Sequence, residues 1–270
     1  MSINIDDFRE KIYDYYHAAG RDFPWRHKVS PWGVLVSECM LQQTQTDRVR
    51  GYYERFMARW PSPRSLHEAS LEEVLREWSG LGYNRRALFL KRCAETIALQ
   101  KGGEVPRTAS ELAALPGIGP YSAGAIVCFA YNEPAVFIET NIRAVMIHFF
   151  FNNSNFVKDD EILPCLARCL DRASPRIWYY ALMDYGAMLK KLRVNPNRQS
   201  AHYKTQSPFK GSRRELRGRI INTLLERPRS AETLMQSLGC TEKRGDFYRV
   251  MEGLQKDLLV AEKEGVYRIR

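Results

Sequence analysis

The sequence lacks any apolar run approaching the roughly 18 consecutive residues that a membrane-crossing helix needs. Its first residues, Met1-Ser2-Ile3-Asn4-Ile5-Asp6-Asp7, are acidic and carry no apolar core of the kind an export signal requires. These two absences argue against a membrane or exported protein and predict an intracellular one, in the cytoplasm or nucleoid. Cysteine pairs at metal-knuckle or redox spacing are also missing. The six cysteines stand at 39, 93, 128, 165, 169 and 240, and no two are separated as C-x-x-C. Only Cys165 and Cys169 are spaced to share a helix face, and all six read as small buried residues in a reducing compartment. Acidic residues are in short supply: 31 Asp and Glu face 41 Lys and Arg, leaving a net charge of +10. That excess suits a polyanion such as nucleic acid, although charge by itself is only permissive.

Strand-like alternation is absent up to about residue 190, and apolar residues recur three and four apart instead, which predicts an all-α region. Ser30-Pro31 supplies an N-cap and a first helical residue. Ser70-Leu71-Glu72-Glu73 and Thr108-Ala109-Ser110-Glu111 have the spacing of capping boxes. Between Lys190 and Arg219 the pattern breaks. Lys190, Lys191, Arg193, Arg198, Lys204, Lys210, Arg213, Arg214, Arg217 and Arg219 are offset within this stretch by Glu215 alone, and Pro196, Pro208 and Gly211 punctuate it. The segment reads either as a solvated linker or as a strap that neutralises DNA phosphates, with Arg213, Arg214 and Arg217 as candidate contacts. Three helical segments near 213–226, 230–238 and 242–257 follow, then an alternating ending around Glu264-Gly265. Three helices and a hairpin predict a small α+β winged helix-turn-helix over 208–270. Its third helix, with Lys243, Arg244 and Arg249, is suited to a DNA groove, but winged helices also dock proteins.

Leu115-Pro116-Gly117-Ile118-Gly119 lies between two predicted helices, the second starting near Tyr121. Gly117 and Gly119 in a tight turn let backbone N–H groups approach a ligand with no Cβ in the way. Beside a helix N-terminus, such amides can hold a phosphate oxygen. This is a helix-hairpin-helix pattern, and in isolation it also fits an ordinary helix connection. Glu139, in Phe137-Ile138-Glu139-Thr140-Asn141, precedes a Thr-initiated helix. Glu38 is the only charge between Pro31 and Thr46. A carboxyl held among apolar neighbours has a raised pKa and can stay a proton donor. Breaking a base–sugar bond calls for two such groups, one to protonate the departing base and one to steady the cationic sugar.

Taken with these segments, Phe23-Pro24-Trp25-Arg26, Val36-Ser37-Glu38-Cys39-Met40-Leu41-Gln42-Gln43-Thr44-Gln45, Gly80-Leu81-Gly82-Tyr83 and Ala181-Leu182-Met183-Asp184-Tyr185-Gly186-Ala187 occur in the order and spacing of one family. From about residue 8 to 190 the sequence resembles the helix-hairpin-helix (HhH-GPD) DNA glycosylase superfamily, in its adenine DNA glycosylase (MutY-like) branch. The resemblance implies a two-lobed all-α glycosylase. Residues 28–136 would form a six-helix barrel carrying the hairpin, residues 1–27 and 137–207 a second lobe, and the site would lie in the cleft with Glu38 and Glu139 facing each other. It also implies roles. Glu38 would protonate the adenine ring nitrogen, and Asn141 would support the carboxylate of Glu139. Tyr121 falls where relatives with lyase activity carry a Schiff-base lysine, so weak or no lyase activity is expected. Tyr83 would wedge into the base stack during flipping, while Gln42, Arg26 and Asp184 would line the base pocket.

Three departures qualify this picture. The family's aspartate aligns with Glu139, whose arm is longer by one methylene, about 1.3–1.5 Å, and misplacement on that scale can cost about a hundredfold in rate. Most relatives carry four iron–sulfur cysteines after the segment matching Ala187, whereas Met188 to Phe209 has none. No cluster, metal or other cofactor is therefore expected, and the basic strap takes the cluster loop's place. The domain with which adenine glycosylases inspect the opposite base is replaced by the winged helix. The implied function is monofunctional excision of adenine from mismatches with guanine or 8-oxoguanine in double-stranded DNA, by a monomer. Excision of thymine or uracil opposite guanine, or of a modified base, is the alternative within the same chemistry. A catalytically silent protein that binds lesions or DNA structures is the alternative of another class.

Overall fold

A helix start is favoured where a side-chain oxygen can take up an orphan N–H group, and several helices of the computed structural model, which describes residues 4–152, 154–191 and 195–270, begin in this way. Met1, Ser2, Ile3 and Arg193 of the basic segment lie outside the described residues. In chain order the helices are α1 (Ile5–Ala19), α2 (Pro24–His27), α3 (Pro31–Leu41), α4 (Thr46–Arg59), α5 (Pro63–Glu68) and α6 (Leu71–Trp78). They continue as α7 (Arg85–Gln100), α8 (Ala109–Ala113), α9 (Pro120–Tyr131), α10 (Thr140–Phe150), α11 (Asp159–Cys169) and α12 (Pro175–Lys191). Ser30 Oγ accepts the N–H of Gly33 at 3.0 Å at the head of α3. Ser70 and Glu73 form a reciprocal capping box on α6, and Thr108 Oγ1 accepts the N–H of Glu111 on α8. Among the described residues, no helix is long and apolar enough to cross a membrane.

The C-terminal part contains α13 (Arg213–Glu226), β1 (Arg229–Ser230), α14 (Ala231–Leu238), α15 (Arg244–Lys256), β2 (Val260–Lys263) and β3 (Val266–Ile269). The strands pair antiparallel in the order β1-β3-β2. Glu264 (φ 55°) and Gly265 (φ 76°) make the β2–β3 turn, with both central residues left-handed as a two-residue hairpin requires. Ile220, Ile221, Leu224, Phe247, Met251 and Leu254 form its core. The expected winged helix is present, with one strand more than the sequence predicts. A mostly helical protein ending in a small sheet is the fold the sequence implied.

The described residues form two compact units. The first combines those of 1–35, 107–114 and 118–205. Its core is built on α12, against which α10 and α1 pack, with Phe8 edge-on to Phe149, Phe150 and Trp178. Gly186 of α12 makes the close approach to α10 possible, since a Cβ there would collide with the carbonyl of Asn141. The head of the basic segment belongs to this unit and is docked. Asn197 is buried and donates to the carbonyl of Thr140 at 3.0 Å, and Ser200 bridges Val157.

The second unit combines residues 36–106, 115–117 and 206–270. In it α5 and α6 pack on α7 around Leu66, Val74, Leu75, Leu90 and Ile97. The sequence reading separates residues 208–270 from 28–136, whereas here 206–270 pack with 36–106. The physical reason is the contact of α13 with α6. Arg76 donates to the carbonyl of Leu225, and Ser79 Oγ donates to Asn222 Oδ1 at 3.0 Å.

Candidate functional site

The turn Leu115–Gly119 uses its two glycines differently. Gly117 has φ 78°, and a Cβ there would lie 2.6 Å from that of Phe89, so this glycine is required by the fold. Gly119 caps α9 with an extended backbone and has nothing within 4 Å of where a Cβ would stand. Pro120 then opens α9. An open approach to backbone amides at the head of a 12-residue helix is suited to an anion.

Glu38 lies on α3, whose consecutive residues from Trp32 to Met40 are almost all buried, and is itself 7% exposed. Its charge, after burial itself, helps push the thiol of neighbouring Cys39 up to about 12. The end of α3 is held by Arg86, a residue outside the motifs read from the sequence. Arg86 Nη1 donates to the carbonyls of Cys39 and Met40 at 2.9 Å and of Gln42 at 2.5 Å. Its Nη2 donates to Thr44 Oγ1 at 3.0 Å and the Gly82 carbonyl at 3.1 Å. Burial lowers its pKa to about 10. One guanidinium thus fixes the Glu38 helix to the loop that presents Tyr83. The only sequence signal for it is an arginine pair, Arg85-Arg86, at the start of a helix, where the dipole disfavours cations.

Tyr83 sits at φ 49°, a left-handed backbone that costs a non-glycine residue about 1–2 kcal/mol. The preceding chain is kept tight by Gly80, where a Cβ would collide with the Tyr52 hydroxyl. Tyr83 is 37% exposed, and its hydroxyl accepts from Arg214 Nη1 at 3.2 Å and from Gln206 Nε2. The C-terminal half of the basic segment therefore reaches the candidate wedge, which the sequence did not foretell.

Glu139 is the N-cap of α10. Its Oε1 accepts the N–H groups of Asn141 at 2.7 Å and Ile142 at 3.0 Å, and Oε2 accepts Asn141 Nδ2 at 3.2 Å. The extra methylene is thus taken up by folding back on the helix end. Burial raises its pKa above the ordinary glutamate range, against the opposing pull of the Ile142 N–H, Lys190 and Asn141. Asn141 is brought to the carboxylate as expected. Tyr121, half-buried on α9, lies edge-on to Phe137 at 5.7 Å.

Arg26 and Asp184 are also brought together, but as a buried ion pair. Arg26 Nη1 and Nη2 reach the two carboxylate oxygens at 2.8 and 2.9 Å, while Arg21 adds its Nε and its backbone N–H, both at 2.7 Å. Burial acts to raise the pKa of Asp184 and is outweighed by the Arg26 bonds and charge and by Arg21, so the net direction is down. Both oxygens of Asp184 are engaged within the protein, which makes it a tie between the chain around Arg26 and α12.

The strap arginines are not equivalent. Arg213 pairs with Asp246 at 2.9 Å and Arg217 with Asp257, whereas Arg214 bonds Tyr83 and the Ser207 carbonyl. Within the segment Glu215 is the only acid, and the acids that pair with Arg213 and Arg217 lie beyond it. As for the iron–sulfur cluster of most relatives, the cysteines present do not fit one. Cys39, Cys93, Cys128, Cys169 and Cys240 are buried on separate elements, and Cys165 bonds its neighbour Cys169.

Comparison with known proteins agrees with this geometry. Residues 36–164 match the family model described as HhH-GPD superfamily base excision DNA repair protein. The chain is 45% identical over 133 residues to the adenine DNA glycosylase of Mycobacterium tuberculosis, covering 49% of this chain and 44% of that one. It is 39% identical over 180 residues to that of Mycolicibacterium smegmatis (66% and 61%) and 35% over 231 residues to that of Rattus norvegicus (80% and 44%). The chain spans about half the length of the curated relatives it matches. Among solved structures it is similar to a thermostable thymine-DNA glycosylase, with TM-score 0.64 and 25% identity over 71% of this chain and 90% of that one. An endonuclease III–DNA complex shares the fold at TM-score 0.59 and 19% identity, over 71% and 90% of the two chains. Residues 36–164 match the HhH-GPD superfamily of base excision DNA repair proteins, and the relatives that align with 49–80% of the chain are adenine DNA glycosylases.

Proposed function

We propose that this protein is a monofunctional DNA glycosylase that removes adenine facing guanine or 8-oxoguanine in double-stranded DNA. The observation that carries the reading is Glu139, a carboxylate pinned at the head of α10 by three N–H donors, in the segment where the family keeps its acid. In this reading Glu38 gives its proton to a ring nitrogen of adenine as the bond between the sugar C1′ and the base nitrogen breaks. The electron pair leaves with the base, and the negative charge of Glu139 steadies the cationic sugar. Water then bonds to C1′, its released proton passes to solvent, and Glu38 regains a proton from solvent. Tyr121 offers no amine at the position where relatives form a Schiff base, so the strand is left intact. The reaction so written uses no cofactor.

A single-turnover assay on labelled duplexes tests this, with adenine opposite 8-oxoguanine or guanine, and thymine or uracil opposite guanine, each read with and without alkali. The expected result is strand cleavage at adenine only after alkali. Cleavage at thymine or uracil instead moves the assignment to the second reading, which the likeness to a thymine-DNA glycosylase favours. Tight binding with no cleavage at any base points to the silent binder.

The hairpin glycines give a second test. Gly119→Ala is expected to stay folded, with a stability change within about 1 kcal/mol, and to weaken duplex binding about tenfold, because its Cβ enters the space a phosphate oxygen would use. Gly117→Ala is expected to lower stability by about 1–3 kcal/mol from its left-handed backbone, and more if Phe89 cannot move. Thermal melts and anisotropy titrations separate the two effects. Wild-type affinity in Gly119→Ala would remove the hairpin from the DNA interface.

A further inference from the structure

Two contacts in the first unit hold the end of α12 against the head of α10. Gly186 meets the backbone of Asn141, where a Cβ would collide with the carbonyl. The short 3₁₀ turn Pro196–Gln199 then returns the chain to the same place, with Asn197 Nδ2 donating to the carbonyl of Thr140 at 3.0 Å. Lys190 stands between these two anchors. It lies one helical turn beyond Gly186 and beside Leu189, which is buried, so it continues the face of α12 that packs on α10. The step from Gly186 to Lys190 is about 6 Å along the axis. Lys190 itself is exposed, and the group its charge acts on is Glu139, which caps the same end of α10 two positions before Asn141.

The hydrogen bonds of Glu139 come from Asn141 and Ile142 of its own helix. They fix where the carboxylate lies and supply no counter-charge. The other charges about α10 are committed elsewhere. Asp184 of α12 is held by Arg26 and Arg21, and Arg143 of α10 makes two 2.7 Å bonds to Asp159 of α11, which His202 also faces at 3.8 Å. Helix α9 brings Tyr121 against Phe137, and the 3₁₀ turn brings the amide of Asn197 and the exposed Arg198. Among the described residues, Lys190 is the charged side chain that pulls the pKa of Glu139 down against burial. We propose that Lys190 is a positioning residue for excision: its ammonium is the counter-charge that favours the Glu139 anion, acting across space on a carboxylate whose bonds its own helix provides. This rests on the glycosylase reading, in which that anion steadies a cationic sugar. It gives the head of the basic segment a task other than gripping phosphate.

The test compares wild type, Lys190→Met and Lys190→Arg of the full chain in single-turnover excision of adenine opposite 8-oxoguanine, at saturating enzyme and across pH. Lys190 is exposed, so both variants keep the fold. Removing the cation should move the acidic limb of the rate–pH profile up by about half to one pH unit. That is less than the roughly 1–3 units of a close pair, because solvent and salt screen an exposed lysine. Below the limb the rate then falls about three- to tenfold, while the plateau above it stays within about twofold of wild type. Lys190→Arg should restore the wild-type limb. A lysine in the last turn of a helix also suits the helix dipole. A dipole role alone would lower the melting temperature of Lys190→Met with the limb in place, and a phosphate contact alone would weaken duplex affinity with the limb in place. Either result overturns the proposal. The Asn141 and Ile142 amide signals, followed by ¹⁵N NMR through a pH titration of the DNA-free protein, report on Glu139 without any turnover. Their midpoint should rise in Lys190→Met by the same amount as the limb. An unmoved midpoint overturns the proposal, while excision by wild type leaves the glycosylase reading standing. A raised midpoint in a protein that excises no base supports the counter-charge and sinks the glycosylase reading.

Discussion

Glu139→Gln is expected to lower single-turnover excision on the order of a thousandfold while duplex affinity stays within a few-fold of wild type. The substitution isolates charge from geometry. Glutamine keeps an oxygen that can accept the N–H groups of Asn141 and Ile142, so the head of α10 remains capped. What it removes is the negative charge that would steady a cationic sugar. Burial raises the pKa of Glu139, and excision in this reading needs the anion. The acidic limb of the wild-type rate–pH profile should therefore lie above the ordinary glutamate range, with the rate climbing as the group loses its proton. That limb should vanish in the variant. A purely structural cap would leave it unmoved, because the cap survives. An unchanged rate, or an unchanged acidic limb, would remove Glu139 from the chemistry.

The same residue shows what sequence can and cannot convey. That a carboxylate stands before a Thr-initiated helix is plain from Phe137-Ile138-Glu139-Thr140. That its longer arm folds back onto its own helix requires the positions of Asn141 and Ile142. Helix starts were legible for a local reason: Ser30, Ser70 and Thr108 satisfy N–H groups three residues on, so the signal and its cause share one short window. The three winged-helix segments were legible likewise, from periodicity and a Glu-Gly turn. Strand β1 was not, because two residues, Arg229 and Ser230, show no alternation and are strand only by pairing with Tyr267 and Val266.

Long-range polar partners account for the other differences. Arg86 draws acceptors from the end of α3 and from the loop before Tyr83, and beyond the Arg85-Arg86 pair at a helix start nothing near it in sequence marks that task. Glu215 is the only acid within the basic segment because Asp246 and Asp257, which match Arg213 and Arg217, stand more than thirty residues downstream. Asp184 looked like pocket lining because the resemblance gives its position but not its partners. Once Arg21 and Arg26 are seen on it, its energetics follow from burial.

Asp184→Asn is expected to destabilise the protein by about 3–5 kcal/mol at neutral pH, as when one member of a buried ion pair is removed. Asp184 is 1% exposed and takes four bonds from two arginines. Asparagine would keep one acceptor oxygen and turn an NH₂ group toward a guanidinium, leaving Arg26, whose side chain is 7% exposed, a buried cation without its counter-charge. The pH dependence gives a second reading of the same interaction. Folding holds the pKa of Asp184 below its value in the unfolded chain, about 3.9. The anion's contribution is therefore complete at neutral pH, begins to fall as pH drops through about 4, and is lost below the folded-state pKa. Denaturant titrations of wild type and variant should show a constant gap between about pH 5 and 8 and a narrowing one in more acidic solution. Removing Arg26 as well, in Arg26→Met/Asp184→Asn, should cost less than the two single changes added together, because the orphaned cation goes with its partner. A gap below about 1 kcal/mol at neutral pH, or one that widens on acidification, would show that this pair does not hold the chain around Arg26 to α12.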